Sequence, residues 1–436
     1  MRYTLVAVML GWLLPVSPGV LLGAPTTPTV PGKVPVAETT FAQVNELLGV
    51  ELFTDDKLWN DEASVLADRL RWPLESKTES ELSFRSYPDD AARLFGCRPF
   101  SVALYADKNG PSLLSLIFAN KGDSVSYVPK AGKPDKEALA ARDGQIKDFK
   151  KAIADDKKNL TTALTKLFGA PVAERMGQGK QTSEVSTRWD WKEHAFLLSA
   201  PRDEYVALRV MPSATADLGG KSRISDSELM ARSKTRILRR ENGDVLLKDI
   251  PMVNQGPKGY CAPATWERAL RYMGVPADMY VLAMAGHSGA GGGTSLTALA
   301  AGAHDAVVAG GRKIEGGSMA KVDPTFVAKY VDRGLPIIWG MFSTKEYNAL
   351  ANERMKLRVD MKDPKAWKKE ITPARKDAKP LKVDRATAHA CMIIGYNKET
   401  GEIAVSDSWG PEFEERWVTA AEATAVSQGV FQVVSY

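Results

Sequence analysis

Apolar residues in the first half of the chain follow both a helical and a strand period. Residues 135–168 carry Leu, Ile and Phe at helical spacing with Lys and Asp on the opposite face, which predicts a long amphipathic helix. A shorter helix is predicted at 61–70. Apolar runs predict strands at 81–85, 100–106, 112–119, 186–191, 195–199 and 205–210. A helix followed by three strands thus occurs twice, which predicts a duplicated α+β module.

The second half shows a different order of elements. Helical periodicity comes first and strand-like apolar runs come afterwards, which favours an α+β domain over alternating α/β units. The predicted helices lie at 261–273, 295–309 and 324–333. The predicted strands lie at 244–250, 335–341, 390–396, 402–407 and 430–436. Residues 213–236, rich in Ser, Ala, Lys and Gly, are predicted to connect this domain to the first.

The N-terminus has the pattern of a secretory signal peptide. Arg2 precedes an apolar stretch from Thr4 to Leu14, and small residues and prolines follow. We predict a signal peptide at 1–24, a proline-rich linker at 25–38, an N-terminal α+β domain at 39–212, a linker at 213–236 and a second domain at 237–436. The protein is therefore expected to be secreted or periplasmic, without stable membrane insertion once the signal is removed.

Composition bears on charge and on cysteine chemistry. The 436 residues carry a formal net charge of +5, which is small for this length, so no nucleic-acid partner is expected. Three cysteines occur, Cys97, Cys261 and Cys391, and an odd number leaves at least one thiol unpaired. A reactive cysteine accounts for the unpaired thiol. Cys97 and Cys391 are interpreted as inert buried thiols.

The segment 251–266 carries the clearest chemical signal. Glycine and proline constrain a loop, and Cys261 then opens a predicted helix. Unpaired N–H groups and the macrodipole at a helix N-terminus stabilise a thiolate, which lowers the thiol pKa and makes Cys261 a candidate nucleophile. Gln255 precedes Cys261 in the same loop. Its amide is placed to donate to the oxygen that becomes negative when the thiolate attacks a carbonyl.

A candidate base and a candidate orienting group follow near the C-terminus. His389 begins the predicted strand 390–396, and Asp407 ends the next predicted strand. Neighbouring antiparallel strands joined through 397–401 bring the two side chains together. The Asp407 carboxylate can then hold the imidazole in one tautomer.

These residues together resemble papain-like cysteine peptidases. The motif Gln-Gly-x-x-x-Tyr-Cys-Ala-Pro-Ala-Thr, which begins at Gln255, is most similar to that of the bacteriocin-processing (double-glycine) peptidases and their free-standing bacterial relatives. The resemblance covers about residues 245–436. It implies a papain-like fold, a peptide or protein substrate, nucleophilic attack by Cys261, acid and base work by His389, orientation by Asp407 and an oxyanion donor in Gln255. It implies no metal and no organic cofactor. Asp407 stands where papain itself has Asn.

Two other classes of protein fit the same residues. Cys-His-Asp chemistry also serves transglutaminases and cell-wall amidases, and the same fold can act as a non-catalytic binding protein. The position of Gln255 favours the peptidase.

Two further segments draw attention without changing this prediction. The glycine-rich segment 286–295 lacks the Lys of a phosphate loop and is interpreted as a loop near the active-site cleft. The basic segment 353–385 is interpreted as a solvated surface.

Overall fold

The computed structural model describes residues 39–126, 136–221, 223–359, 361–376, 381 and 383–436. The predicted signal peptide at 1–24 and the predicted linker at 25–38 lie outside these residues. Thr39–Tyr436 forms one compact unit. Within the described ranges, every helix is too short or too polar to cross a membrane.

The first half of the compact unit builds a single antiparallel sheet. Its helices are α1 (Phe41–Leu48), α2 (Ala63–Leu70), α3 (Lys121–Ser124), α4 (Lys136–Phe168) and α5 (Ser213–Asp217). Its strands are β1 (Leu74–Lys77), β2 (Glu81–Ser86), β3 (Ser101–Asp107), β4 (Gly110–Asn120), β5 (Val172–Met176), β6 (Glu184–Trp191), β7 (His194–Ser199) and β8 (Tyr205–Pro212). The long helix and the six strands predicted from the sequence are all present.

The order of strands in this first sheet is β1-β2-β3-β4-β8-β7-β6-β5. The two central strands, β4 and β8, pair with each other, and each half of the sheet follows a helix. Each half holds four strands, one more than predicted. The sequence analysis missed the outermost strands, β1 and β5, because they are short and carry charged residues. The duplication of the module stays a prediction.

The long helix α4 covers one face of the first sheet. Its buried side chains are Phe149, Ile153, Leu160 and Leu164. They recur on one helical stripe and join the apolar side chains of the sheet in one core cluster. The apolar face predicted from the sequence is thus the face of α4 that packs on the first sheet.

The second half builds a second antiparallel sheet with helices around it. Its helices are α6 (Asp226–Thr235), α7 (Cys261–Tyr272), α8 (Met279–Ala285), α9 (Leu296–Ala309), α10 (Pro324–Val331), α11 (Lys345–Arg358), α12 (Pro364–Glu370), α13 (Thr372–Lys376) and α14 (Ala420–Val426). Its strands are β9 (Ile237–Arg239), β10 (Asp244–Leu247), β11 (Lys313–Ser318), β12 (Ile337–Phe342), β13 (Ala388–Asn397), β14 (Glu402–Ser406), β15 (Arg416–Thr419) and β16 (Ser427–Ser435). Mixed helix and sheet confirm the predicted α+β class.

Strand β13 is the centre of the second sheet. Its first half pairs with β12, its second half pairs with β10, and β14 pairs along the other side. The strand is apolar nearly throughout and almost entirely buried. Helix α7 packs against it within one large core cluster. This arrangement brings the start of α7 and the start of β13 to the same place.

The segment 213–236, predicted as a linker, contains α5 at its beginning and α6 near its end. The division of the chain into domains at 39–212 and 237–436 stays a prediction.

Candidate active site

Cys261 is the first residue of α7 and is partly exposed. No side chain caps the start of this helix, so its first N–H groups remain free to stabilise negative charge. Burial by itself raises the pKa of the Cys261 thiol. Hydrogen bonding to His389 and to the backbone N–H groups of Ala390 and Ala262 outweighs burial, and the pKa falls below its ordinary value. The start of α7 and the start of β13 together therefore favour the thiolate form of Cys261.

His389 lies near the start of β13, with 9% of its surface exposed. Its Nε2 atom lies 2.8 Å from Oδ1 of Asp407. The imidazole also lines the same cleft as Cys261, and each of the two groups shifts the pKa of the other. Because Nε2 is taken by Asp407, the nitrogen that serves Cys261 is Nδ1. Asp407 and Cys261 thus face different nitrogens of the imidazole ring.

The electrostatics of this group favour an ion pair. Burial lowers the pKa of His389, but the hydrogen bonds to Asp407 and Cys261 raise it to about 10. The thiol pKa moves in the opposite direction, as described above. When the pKa of a base is raised and that of a neighbouring thiol is lowered, the proton rests on the base. Both shifts therefore favour a thiolate beside an imidazolium.

Asp407 directly follows β14 and is almost fully buried. Burial raises the pKa of its carboxyl group, but the hydrogen bond from His389 and the charge of Arg416 lower it overall. The Arg416 guanidinium contacts Oδ2, the carboxylate oxygen that His389 leaves free. The indole ring of Trp409 packs against the imidazole ring, with 5.0 Å between the ring centroids.

Arg416 is a member of the site that sequence reasoning missed. It begins β15 and pairs in register with Val405 of β14, two residues before Asp407. Its guanidinium also donates to Asn348 and Asn352 of α11. A lone Arg at the start of a short strand carries no chemical signal in the sequence. Only the pairing of β14 with β15 reveals its role.

Gln255 lies in the loop before α7, and its backbone N–H donates to the Ser408 carbonyl at 2.8 Å. This bond ties the nucleophile loop to the segment after Asp407. Its side-chain oxygen is buried and has no hydrogen-bond partner among the described residues. The Gln255 side chain is not among the described residues that line the cleft. Its role as oxyanion donor stays a prediction.

A cleft of about 700 Å³ runs past Cys261 and His389. The glycine-rich segment lines one side of it with Gly291, Gly293 and Thr294. Ser295 caps the start of α9 by accepting from the Ala298 N–H. The described residues of the cleft wall beside Cys261 are small or polar.

The two other cysteines are buried free thiols. Burial raises the pKa of Cys97 to about 12 and raises that of Cys391 above its ordinary value. A thiol with a raised pKa is a poor nucleophile near neutral pH. Cys261 is therefore the thiol suited to chemistry.

Comparison with known proteins finds a family match over the part of the chain that holds this site. The model of the Peptidase_C39 like family matches residues 247–432, which include Cys261, His389 and Asp407. The match confirms the resemblance to papain-like, C39-type cysteine peptidases that the motifs indicated. No curated protein matches the chain.

Proposed function

We propose that this protein, whose residues 247–432 are related to C39-type cysteine peptidases, hydrolyses peptide bonds with Cys261 as nucleophile, His389 as acid and base, and Asp407 as orienting group. One observation carries the proposal: the buried imidazole of His389 is hydrogen-bonded to a buried carboxylate and lines the same cleft as a thiol at a helix N-terminus, whose pKa it lowers. A histidine with a purely structural role does not require a thiol beside it, and a cysteine that only fills the core does not require a base.

The proposed reaction has two steps. The Cys261 thiolate attacks the carbonyl carbon, the C–N bond breaks, and His389 gives its proton to the leaving amine, which leaves a thioester. A water molecule then loses a proton to His389 and attacks the thioester. The C–S bond then breaks, the carboxylic acid product departs, and the released Cys261 thiolate and the protonated His389 restore the resting ion pair. Asp407 keeps the imidazole in the orientation that both steps need.

Gln255 is proposed to donate to the oxyanion formed in each step. Its place before the nucleophile and the bond from its backbone to Ser408 support this role. Replacing one oxyanion donor costs about 10²- to 10³-fold in kcat in well-studied hydrolases. Gln255→Ala should therefore lower kcat by about that factor with a small change in KM. An unchanged kcat would remove Gln255 from the mechanism.

The activity is tested with the mature chain, a diverse peptide library and a thiol-alkylating epoxide. The proposal expects peptide cleavage, an epoxide adduct on Cys261, and loss of both in Cys261→Ala. The variant Cys97→Ala is the matched control, because it removes a buried thiol outside the cleft, and it should retain cleavage. Cleavage that survives Cys261→Ala contradicts the nucleophile assignment. Transfer of acyl groups to added amines without hydrolysis points to a transferase, and absence of both adduct and turnover points to a binding protein.

Export to the periplasm or the cell exterior is proposed as well. Arg2 and the apolar stretch from Thr4 to Leu14 support it. Fractionation of cells that express the full chain, with N-terminal sequencing of the product, tests it. A product that starts after residue 24 or near it, outside the cytoplasm, is expected. A chain that keeps Met1 in the cytoplasm contradicts the proposal.

A further inference from the structure

The loop that leads into the nucleophile is held by the first sheet as well as by its own half of the chain. The N–H of Met252 donates to Ser76 Oγ at 2.9 Å, and the N–H of Asn254 donates to Glu75 Oε1 at 2.7 Å. The Tyr87 hydroxyl donates to the Asn254 carbonyl at 2.5 Å. Strand β1 and the end of β2 therefore fix the path of the first part of the loop that leads to Cys261.

One of these attachments belongs to Tyr260, the residue directly before the nucleophile. Its side chain is buried, and its hydroxyl donates to Asn120 Oδ1 at 2.7 Å. The same hydroxyl accepts from the N–H of Gly122 at 3.1 Å. A β-carbon on Gly122 would lie 2.4 Å from the Tyr260 ring, so glycine is needed there. The phenol thus occupies a socket made by the end of β4 and the start of α3.

Tyr260 also belongs to the first turn of α7. Its carbonyl accepts the N–H of Ala264 at 2.9 Å. One residue therefore has its side chain fixed in the first sheet and its backbone fixed in the nucleophile helix. Because Cys261 is bonded to it directly, the socket adds a second constraint on the position of the sulfur, beside the packing of α7 on β13. His389 lies in the other sheet, so the distance between sulfur and imidazole depends on how the two halves are joined.

Attachments within the second half hold mainly the earlier part of the loop. Arg268 Nε donates to the Pro251 carbonyl at 2.9 Å, and the N–H of Gln255 donates to Ser408. Nearer to Cys261, the N–H of Gly293 donates to the Gly259 carbonyl at 3.1 Å, while the side-chain hydrogen bonds of residues 258–260 run to the first half. Lys258 Nζ donates to the Asp123 carbonyl at 3.0 Å, and Tyr260 donates to Asn120.

We propose that Tyr260 and Asn120 are positioning residues for Cys261, and that the first sheet is thereby a working part of the catalytic apparatus. This inference rests on the proposed function, in which Cys261 is the nucleophile. A misplacement of a reacting group by about 1 Å can cost about 10²-fold in rate. One hydrogen bond in a socket outside the described lining of the cleft can therefore control reactivity.

The test measures alkylation of Cys261 by iodoacetamide as a function of pH, with the site of modification read by mass spectrometry. In the full chain, Tyr260→Phe removes the hydroxyl and leaves the ring in place. We expect the alkylation rate of Cys261 at pH 6 to fall by about tenfold and the reactivity profile to move to higher pH. Peptide cleavage should lose kcat more than it changes KM.

The matched control is Tyr205→Phe. Tyr205 is also buried in the first sheet, in the same apolar cluster as Tyr260 and opposite Asn120 in the register of β4 and β8, but its hydroxyl donates to Glu184 at 2.6 Å and not to Asn120. This variant should lose thermal stability to a similar extent and keep the wild-type alkylation profile. An equal loss of reactivity in both variants would show a general structural effect and overturn the proposal.

A double-mutant cycle completes the test. If the hydroxyl acts through Asn120, then Tyr260→Phe combined with Asn120→Ala should slow alkylation no more than the stronger single variant does. Fully additive losses contradict the shared contact, as does a wild-type profile in Tyr260→Phe. A wild-type enzyme whose Cys261 shows only ordinary thiol reactivity would instead overturn the proposed function itself.

Discussion

Arg416 and His389 contact opposite oxygens of the Asp407 carboxylate. Nε2 of His389 lies 2.8 Å from Oδ1, and the buried Arg416 guanidinium contacts Oδ2. Arg416 also lies over the Trp409 ring, at 5.1 Å. Arg416 therefore fixes the orientation of the Asp407 carboxylate. Through Asp407 and Arg416, His389 is linked to helix α11.

Replacing Arg416 by Met should weaken both stability and reactivity. Removing one partner of a buried ion pair costs about 3–5 kcal/mol, because the remaining charge stays buried without compensation. The imidazole also loses its fixed partner, so alkylation of Cys261 at pH 6 should slow. Urea unfolding and the iodoacetamide rate measure the two effects.

Arg354→Met is the control for this change. Arg354 forms a similarly buried pair with Glu422 between α11 and α14. It should lower the free energy of unfolding to a comparable extent and leave the thiol reactivity profile in place. Equal reactivity losses in the two variants would contradict a specific role of Arg416.

The pH dependence of reactivity follows from the two displaced pKa values. The thiol pKa is lowered, so the thiolate persists to lower pH than in an ordinary cysteine. The His389 pKa is raised to about 10, so the imidazolium is lost only as pH rises through about 10. Cleavage should therefore follow a bell-shaped curve with its alkaline limb near that value.

Removing the imidazole tests the same relationship directly. In His389→Gln, the alkylation profile of Cys261 should move upward by about one pH unit or more, since each unit corresponds to about 1.4 kcal/mol of lost stabilisation of the thiolate. Cys97 and Cys391 serve as internal standards, because their raised pKa values keep them unreactive. An unmoved profile would show that His389 does not control the thiol.

Gly259 and Gly144 should respond to alanine in opposite directions. Gly259 has φ of 45°, and a β-carbon there would lie 2.3 Å from Cα of Gly292 in the glycine-rich loop. Gly259→Ala should cost at least about 1 kcal/mol and slow alkylation of Cys261. Gly144 lies inside α4 with open space around it, so Gly144→Ala should stabilise the fold by about 1 kcal/mol. Thermal unfolding distinguishes the two, and a tolerated Gly259→Ala would contradict the tight approach of the two loops.

Glu267 should make stability depend on pH in the acid to neutral range. It is buried in α7, and its Oε2 accepts the N–H of Met279 at 2.8 Å. Burial outweighs the charges of Arg271 and Arg85 and raises its pKa from 4.5 to about 7. Because the folded state holds the proton more tightly, ionisation above pH 7 opposes folding, and this penalty vanishes below pH 4.5.

Glu267→Gln isolates that effect. The free energy of unfolding of the wild type, relative to this variant, should fall by about 3 kcal/mol as pH rises from 4.5 to 7. Urea unfolding at several pH values gives the difference. A difference that stays constant over this range would contradict the displaced pKa of Glu267.

Prediction from the sequence succeeded where structure depends on local pattern. The stripe of Phe149, Ile153, Leu160 and Leu164 follows from helical spacing alone, and α4 begins and ends within a residue of the predicted bounds. Strands β1 and β5 escaped prediction because edge strands are short and bear polar residues, so their pairing partners decide their conformation. The helices between 345 and 376 were predicted only as a basic surface.

The sequence by itself determined the chemistry of the central residues. A cysteine after a Gly-Pro loop at the start of a helix acquires free N–H groups locally, and a hairpin of two apolar strands brings His389 beside Asp407. Tertiary structure alone decided which residues hold this group in place. Tyr260 and Asn120 are 140 residues apart, and Arg416 reaches Asp407 only through the pairing of β14 and β15. Such contacts depend on how whole sheets pack, and single residues far apart in the chain leave no periodic pattern that records them.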